Sequence, residues 1–392
     1  MGPIPYSVII GHYPDSVEES RLQDSVEGAL QRVNELMSTY IPESDVSQFN
    51  SSLSTDFQDV DLETANVVAR ALEISKQTAG AFDITVGPAV NLWNFGPNKE
   101  DFSIPTDQSI KDVAKLIGYQ KVSVRLKPAA IKKEIPSLKI DLSAIAKGYA
   151  VDQVAKALDD LGCKQFMVEV GGEVYTRGER TAGGKWRIAV ERPSDKARQI
   201  GSVAEISDKA LATSGDYRNF EEANGKRYSH TIDPTTCRPV EHNLASACIV
   251  ADDCMTADAL ATAVMVIGAD QGQILLDRLG VQYLLVERNA DFGNDLKEFV
   301  SESFPLKDKT KIAAVRNREE QSILPIFIGS AVVFGLVILG MAVGSIFANK
   351  PVQGSCGGLA NMTNEEGDEV CGICSKPTTD CIEKTTEATA TP

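Results

Sequence analysis

From Ile323 to Ala348 the chain runs for 26 residues without a charged side chain. A helix of that length rises about 39 Å, enough to cross the hydrocarbon core of a bilayer with some tilt. This stretch fixes the plan of the rest. Residues 1–305 have globular composition and are long enough to bury an ordinary core. Residues 306–322 form a polar linker with Lys307, Lys309, Lys311, Arg316 and Arg318. Residues 349–392 are a short tail, closing on a Thr/Ala-rich run from Thr385 that is expected to be disordered.

A formal net charge of -16 argues against general nucleic-acid binding, which needs a basic footprint. It does not bar a phosphate ligand, because a metal ion and a few placed cations supply local positive charge. The eight cysteines fall into two sets. Cys163, Cys237, Cys248 and Cys254 are scattered through the globular part and read as buried apolar residues. Cys356, Cys371, Cys374 and Cys381 crowd the tail.

Within the globular part, Tyr6 to Ile10 reads as the first strand, and no signal peptide precedes it. Either this part is cytoplasmic or an export signal lies outside these residues. Helical spacing marks 18–37 and 61–79, with a polar loop between them. A strand is expected to end in Lys139-Ile-Asp-Leu142 and to lead into a helix. Residues 163–176 read as the next strand, broken by Gly171-Gly172, and further strands are expected at 186–191, 201–206 and 245–250. Residues 256–267 form a helix capped by Thr256. Strands and helices alternate irregularly, which favours an α+β layer architecture over a doubly wound parallel sheet.

Three places offer chemistry. Asp258 and Thr262 are four residues apart and face one side of their helix. Such a carboxylate and hydroxyl can hold Mg²⁺ or Ca²⁺, and equally form the polar edge of an ordinary capped helix. The turn Asp141-Leu-Ser-Ala-Ile-Ala-Lys-Gly148 lets a ligand near the backbone, and Lys147 can meet a phosphate, but the P-loop glycine spacing is absent. His230, one of three histidines, is followed by Thr-Ile-Asp-Pro234. A lone histidine is more often structural than catalytic.

Seven motifs occur in order: Met37-Ser-Thr-Tyr40 with Ser47-Gln-Phe-Asn50; Gly80-Ala-Phe-Asp83 with Thr85-Val-Gly-Pro88; Asp141 to Ala150; Val168-Glu-Val-Gly-Gly-Glu173; Ser214-Gly-Asp-Tyr217; Tyr228 to Pro234; and Ala257-Asp-Ala-Leu-Ala-Thr262. In them the chain, over residues 1 to about 300, resembles the ApbE family of FAD:protein FMN transferases. The resemblance implies a T-fold-like α+β architecture, FAD as substrate, and transfer of FMN to a Thr or Ser hydroxyl of an acceptor protein. It implies metal ligation by Asp258, Thr262 and the Ala144 backbone. It also implies FAD contacts from Met37, Ala81, Phe82, Asp83, Asp141 and Lys147. Asp258 is then a catalytic residue through its metal. The acceptor proton goes to His230 or to an acidic residue near the metal. Two positions depart from the family. Ile84 stands where proline is usual. Cys237 stands where glycine is usual, and a left-handed turn there costs about 1 kcal/mol or more, so the loop shape is in question.

The tail cysteines, with one Cys-x-x-Cys pair, can bind zinc or iron or can form two disulfides. Residues 323–381 resemble a small membrane protein (NqrM-like) that helps mature the sodium-pumping NADH:quinone oxidoreductase. That resemblance implies reduced thiols handling iron, and an acceptor subunit in that complex. Five linker cations against Lys350 alone would place the large domain in the cytoplasm. The resemblance instead implies an inner-membrane, single-pass protein with a periplasmic transferase domain and a cytoplasmic tail, and an export signal upstream would override the linker charges. The rival readings are a pyrophosphatase that splits FAD into FMN and AMP, and a non-enzymatic membrane-anchored carrier of flavin or metal.

Overall fold

The computed structural model describes residues 4–96, 102–193, 199–216, 220–223, 225–288 and 296–307, and two short strands at 362–363 and 369–370. The expected membrane helix at 323–348 and all four tail cysteines lie outside the described residues. The chain divides into two compact units, residues 1–315 and 316–392. In the second, Met362–Thr363 pairs antiparallel with Glu369–Val370.

The first unit opens with β1 (Tyr6–His12), α1 (Glu19–Met37), α2 (Asp45–Ser51), β2 (Gln58–Asp59) and α3 (Leu62–Gln77). It continues with α4 (Gly87–Leu92), α5 (Asp107–Ala114), β3 (Val122–Leu126), β4 (Ala129–Lys133) and α6 (Ser143–Asp160). Then come β5 (Gln165–Val170), β6 (Glu173–Arg177), β7 (Trp186–Glu191), β8 (Ile200–Ile206), β9 (Lys209–Gly215), β10 (Phe220–Ala223) and β11 (Lys226–Ser229). Two short strands, β12 (Ile232–Asp233) and β13 (Arg238–Pro239), lead to β14 (Leu244–Ala251), α7 (Cys254–Leu279), β15 (Gln282–Arg288) and β16 (Leu296–Val300).

Seven strands form the main sheet in the order β1-β5-β6-β9-β14-β15-β16, each pair antiparallel. The architecture is α+β, as the irregular alternation predicts. Both faces of the sheet are covered. On one, Ala210, Ala212, Ala247, Ile249 and Leu285 join the core built with α1, α3, α6 and α7. On the other, Leu211, Cys248, Val250 and Leu284 pack under the β7–β8 hairpin with Trp186, Phe304 and Leu306. That double cover explains why β14 is buried along nearly its whole length, without the apolar/polar alternation of a half-exposed strand.

Before α7 the structure differs from sequence expectation in three places. The polar loop after α1 contains α2, whose N-cap Ser44 accepts the Ser47 backbone N–H. The segment Lys139–Leu142 is not a strand; the Asn50 side chain takes the place of a neighbouring strand by bonding both the N–H and the C=O of Ile140, each at 2.8 Å. Residues 163–176 form two strands, because Gly171 and Gly172 both adopt positive φ and turn the chain into a hairpin.

Helix α7 runs past the predicted end at Ile267, but Gly268 breaks it with φ 80° and ψ 176°. His242 meets the Val266 carbonyl near the break at 3.2 Å. Among the described residues α7 alone is long and apolar enough to cross a membrane. Its apolar character has a local cause: it is the central core helix, packed between the sheet and α6.

Candidate active site

The site is built where α6 crosses the start of α7. Gly148 makes the crossing close. A Cβ there would lie 2.6 Å from the Cys254 carbonyl carbon and 2.8 Å from Met255 Cα, so only glycine fits. One turn on, Asp152 of α6 caps α7: its carboxylate accepts the backbone N–H groups of Cys254 at 2.8 Å and Met255 at 2.9 Å. The N-cap is Asp253 and not Thr256, because the helix starts at Cys254: the Asp253 side chain accepts the Thr256 N–H at 2.7 Å. Burial pushes the Asp152 carboxyl up to about 7, against the pull of its two backbone donors.

This crossing presents Asp258 to α6. Asp258 is buried, with its side chain 2% exposed. One oxygen accepts the Lys147 ammonium at 2.9 Å and the other the Gly148 N–H at 3.1 Å. The same ammonium pairs with Glu173 at the start of β6, which is almost as deeply buried. Burial works against the Lys147 charge, but Asp258 and Glu173 outweigh it and hold its pKa above the ordinary value. Burial raises the Glu173 carboxyl; Lys147 opposes the shift and Asp258 adds to it. One turn beyond Asp258, the Thr262 hydroxyl lies 3.4 Å from Ser214 Oγ at the end of β9.

The other predicted residues fall into two groups. Ala144 is in the first turn of α6, and Asp141 caps that helix through Ser143 N at 2.8 Å. Asp141 is tied by its own N–H to the Ile84 carbonyl at 2.7 Å, which joins it to the turn holding Ala81, Phe82 and Asp83. These three are buried, as is Met37 at the end of α1. Asp83 is a turn clamp: it accepts from Thr85 N and Oγ1 and from Tyr119 N, while burial raises its pKa. His230 belongs to a second group, an aromatic cluster, edge-on to Phe95 with ring centroids 6.3 Å apart. There Tyr228 stacks on Trp93, whose indole N–H bonds the Cys237 carbonyl at 2.8 Å. Cys237 does adopt the left-handed conformation, at φ 54°, with its thiol buried, so the turn keeps a positive φ without glycine.

Glu173 stands in the Val168–Glu173 motif with no role legible from its neighbours, and nothing local to Asp152 marks it as the partner of α7. A cavity of about 330 Å³ opens beside the aromatic group, lined in part by Trp93, Asp216, Tyr228, His242 and Arg288.

The ApbE family profile matches residues 4–285. The chain belongs to the ApbE family. Relatives within it include the FAD:protein FMN transferase of Vibrio cholerae, 39% identical over 299 residues, 76% of this chain and 88% of that one. That of Escherichia coli is 35% identical over 292 residues, covering 74% and 82%. The structure of the ApbE flavin transferase of V. cholerae superposes with a TM-score of 0.68 at 37% identity, over 77% of this chain and 99% of that one. The apo Pseudomonas stutzeri flavinyl transferase ApbE gives 0.69 at 34% identity, over 76% and 91%. The ApbE fold is therefore the fold of this domain. A second profile, (Na+)-NQR maturation NqrM, matches residues 345–391.

Proposed function

We propose that this chain is an FAD:protein FMN transferase that needs a divalent cation, moves FMN onto a Thr or Ser hydroxyl of an acceptor protein, and releases AMP. The observation that carries the reading is Asp258, buried near the start of α7 with Lys147 and Gly148 on its two oxygens and Thr262 one turn away. These residues fit a hard cation, since the donors are oxygens on one helix face and the spot already accepts the positive charge of Lys147. We assign Asp258, Thr262 and the Ala144 carbonyl to the metal, with Mg²⁺ as the expected ion. A cation bound there supplies neutralisation of the FAD pyrophosphate and polarisation of the bond to be broken.

The protein groups do the rest. Met37, Ala81, Phe82, Asp83 and Asp141 line the FAD side, and the clamped Asp83 and capping Asp141 hold their turns without reorganisation. Lys147, kept protonated, directs positive charge at the phosphates. The acceptor hydroxyl attacks the FMN-side phosphorus, the pyrophosphate P–O bond breaks, and AMP leaves. In-line placement and charge neutralisation supply the acceleration. The acceptor proton passes to His230 or to a carboxylate near the metal.

Residues 323–348 are assigned to a single crossing of the inner membrane, with the transferase domain periplasmic and the tail cytoplasmic. Cys356, Cys371, Cys374 and Cys381 are assigned to iron or zinc. The NqrM match supports a shared task for both halves, maturation of the sodium-pumping NADH:quinone oxidoreductase, with the acceptor among its subunits. Incubation with FAD, Mg²⁺ and a Thr-bearing acceptor, followed by mass spectrometry, tests the transferase. Flavin bound covalently to the acceptor, with AMP released, is expected. Free FMN and AMP with an unmodified acceptor would establish the pyrophosphatase instead.

A further inference from the structure

Both oxygens of Asp258 are already taken, one by the Gly148 N–H and one by the Lys147 ammonium. A metal ion that takes Asp258 must displace one of them or share an oxygen with it. The Gly148 N–H cannot withdraw, because α6 lies against the backbone of Cys254 and Met255 at that residue. Lys147 can: its charge sits on a flexible stem, and its side chain is 24% exposed while those of Asp258 and Glu173 are 2% and 4%. A second cation on the same oxygen repels the ammonium, so Lys147 moves off Asp258. Where it goes depends on Glu173. That carboxylate is fixed by strand pairing, Val170 opposite Glu173 beside the Gly171-Gly172 turn, and already holds the same ammonium.

We propose that Glu173 is a positioning residue: it retains Lys147 in the site when a divalent cation takes Asp258, so that the cation enters without expelling the lysine. The inference rests on the reading of Asp258 as a metal ligand. The exchange takes place on metal binding, before any FAD is present. With Glu173 in place, Lys147 gives up one of two anionic partners. Without it, Lys147 has Asp258 alone and competes for it fully.

The test is calorimetric titration of the full chain in detergent with MgCl₂, without FAD. Glu173→Gln is expected to weaken Mg²⁺ binding at least tenfold. In the Lys147→Met background the competitor is gone, and adding Glu173→Gln should change the affinity by less than twofold. A Glu173→Gln loss that persists undiminished in that background would mean Glu173 acts on the metal directly, and would overturn the proposal. So would unchanged binding in the single variant. If Glu173→Gln fails to fold, Glu173→Asp keeps the charge but withdraws it from Lys147; at least a threefold loss is expected, again abolished by Lys147→Met. Asp258→Ala tests the underlying reading separately. It must remove the titration in every background, and a normal titration there would refute the metal assignment itself.

Discussion

Replacing Gly148 by alanine sets two physical effects against each other. By helix propensity alone, Gly→Ala in the interior of α6 should stabilise the domain by about 1 kcal/mol. The structure predicts the reverse. The new Cβ would meet three backbone atoms of α7, the carbonyl carbon and oxygen of Cys254 and Met255 Cα, two of them at 2.6 and 2.8 Å and the oxygen closer still. Ordinary carbon contacts are about 3.5–4.0 Å, so the helices must part by about 1 Å. Overpacking of this kind costs about 1–3 kcal/mol. The shift also stretches the 3.1 Å bond from Gly148 N to the Asp258 carboxylate, a charge-assisted contact whose loss costs about 1.5–3 kcal/mol. After the propensity gain, a net destabilisation of about 2–5 kcal/mol is expected. Urea unfolding followed by tryptophan fluorescence reads this directly, because the two tryptophans, Trp93 and Trp186, are both buried in the transferase domain. The same variant should bind Mg²⁺ more weakly, since Asp258 loses its fixed donor. Unchanged or increased stability would refute the close α6–α7 crossing and the site built upon it.

Asp258→Ala should abolish FMN transfer at ordinary Mg²⁺, and Thr262→Ala should reduce it less, because water can replace a hydroxyl; near-normal turnover of the first in a mass-spectrometric assay refutes the assignment. Asp152, raised to about 7 from an unfolded value near 3.9, favours the protonated form on folding. Its contribution is therefore full below about pH 4 and lost as pH rises through 7. The wild type should lose about 3 kcal/mol relative to Asp152→Asn between pH 5 and 8, and a constant difference in urea unfolding would contradict this. A chain ending at Asn317 should be soluble and still flavinylate an acceptor; loss of activity with the fold intact would show that the halves are not separable. In intact cells the four tail cysteines should react only with a membrane-permeant alkylating reagent, whereas resistance until a reductant is added would show disulfides.

What the sequence determined is what local periodicity and short motifs can carry. The spacing of Asp258 and Thr262 puts them on one face, because four residues make about one helical turn. The helix pattern of 256–267 stops where Gly268 breaks the helix, and the helical spacing over 18–37 matches the span of α1. The ordered motifs gave the family. What the tertiary structure decided involves residues far apart in the chain. Lys147 meets Glu173 across 26 positions and Asp258 across 111. Asp152 caps a helix 102 residues away. Asn50 replaces a strand partner for Ile140 across 90. No periodicity reports such pairs, because they exist only once elements distant in the chain have packed, β5 on β6, α6 across α7, and α2 beside Ile140. A carboxylate reads the same in sequence whether it meets water, a backbone N–H or a buried ammonium. Burial and the neighbours brought by the fold set its charge and its task.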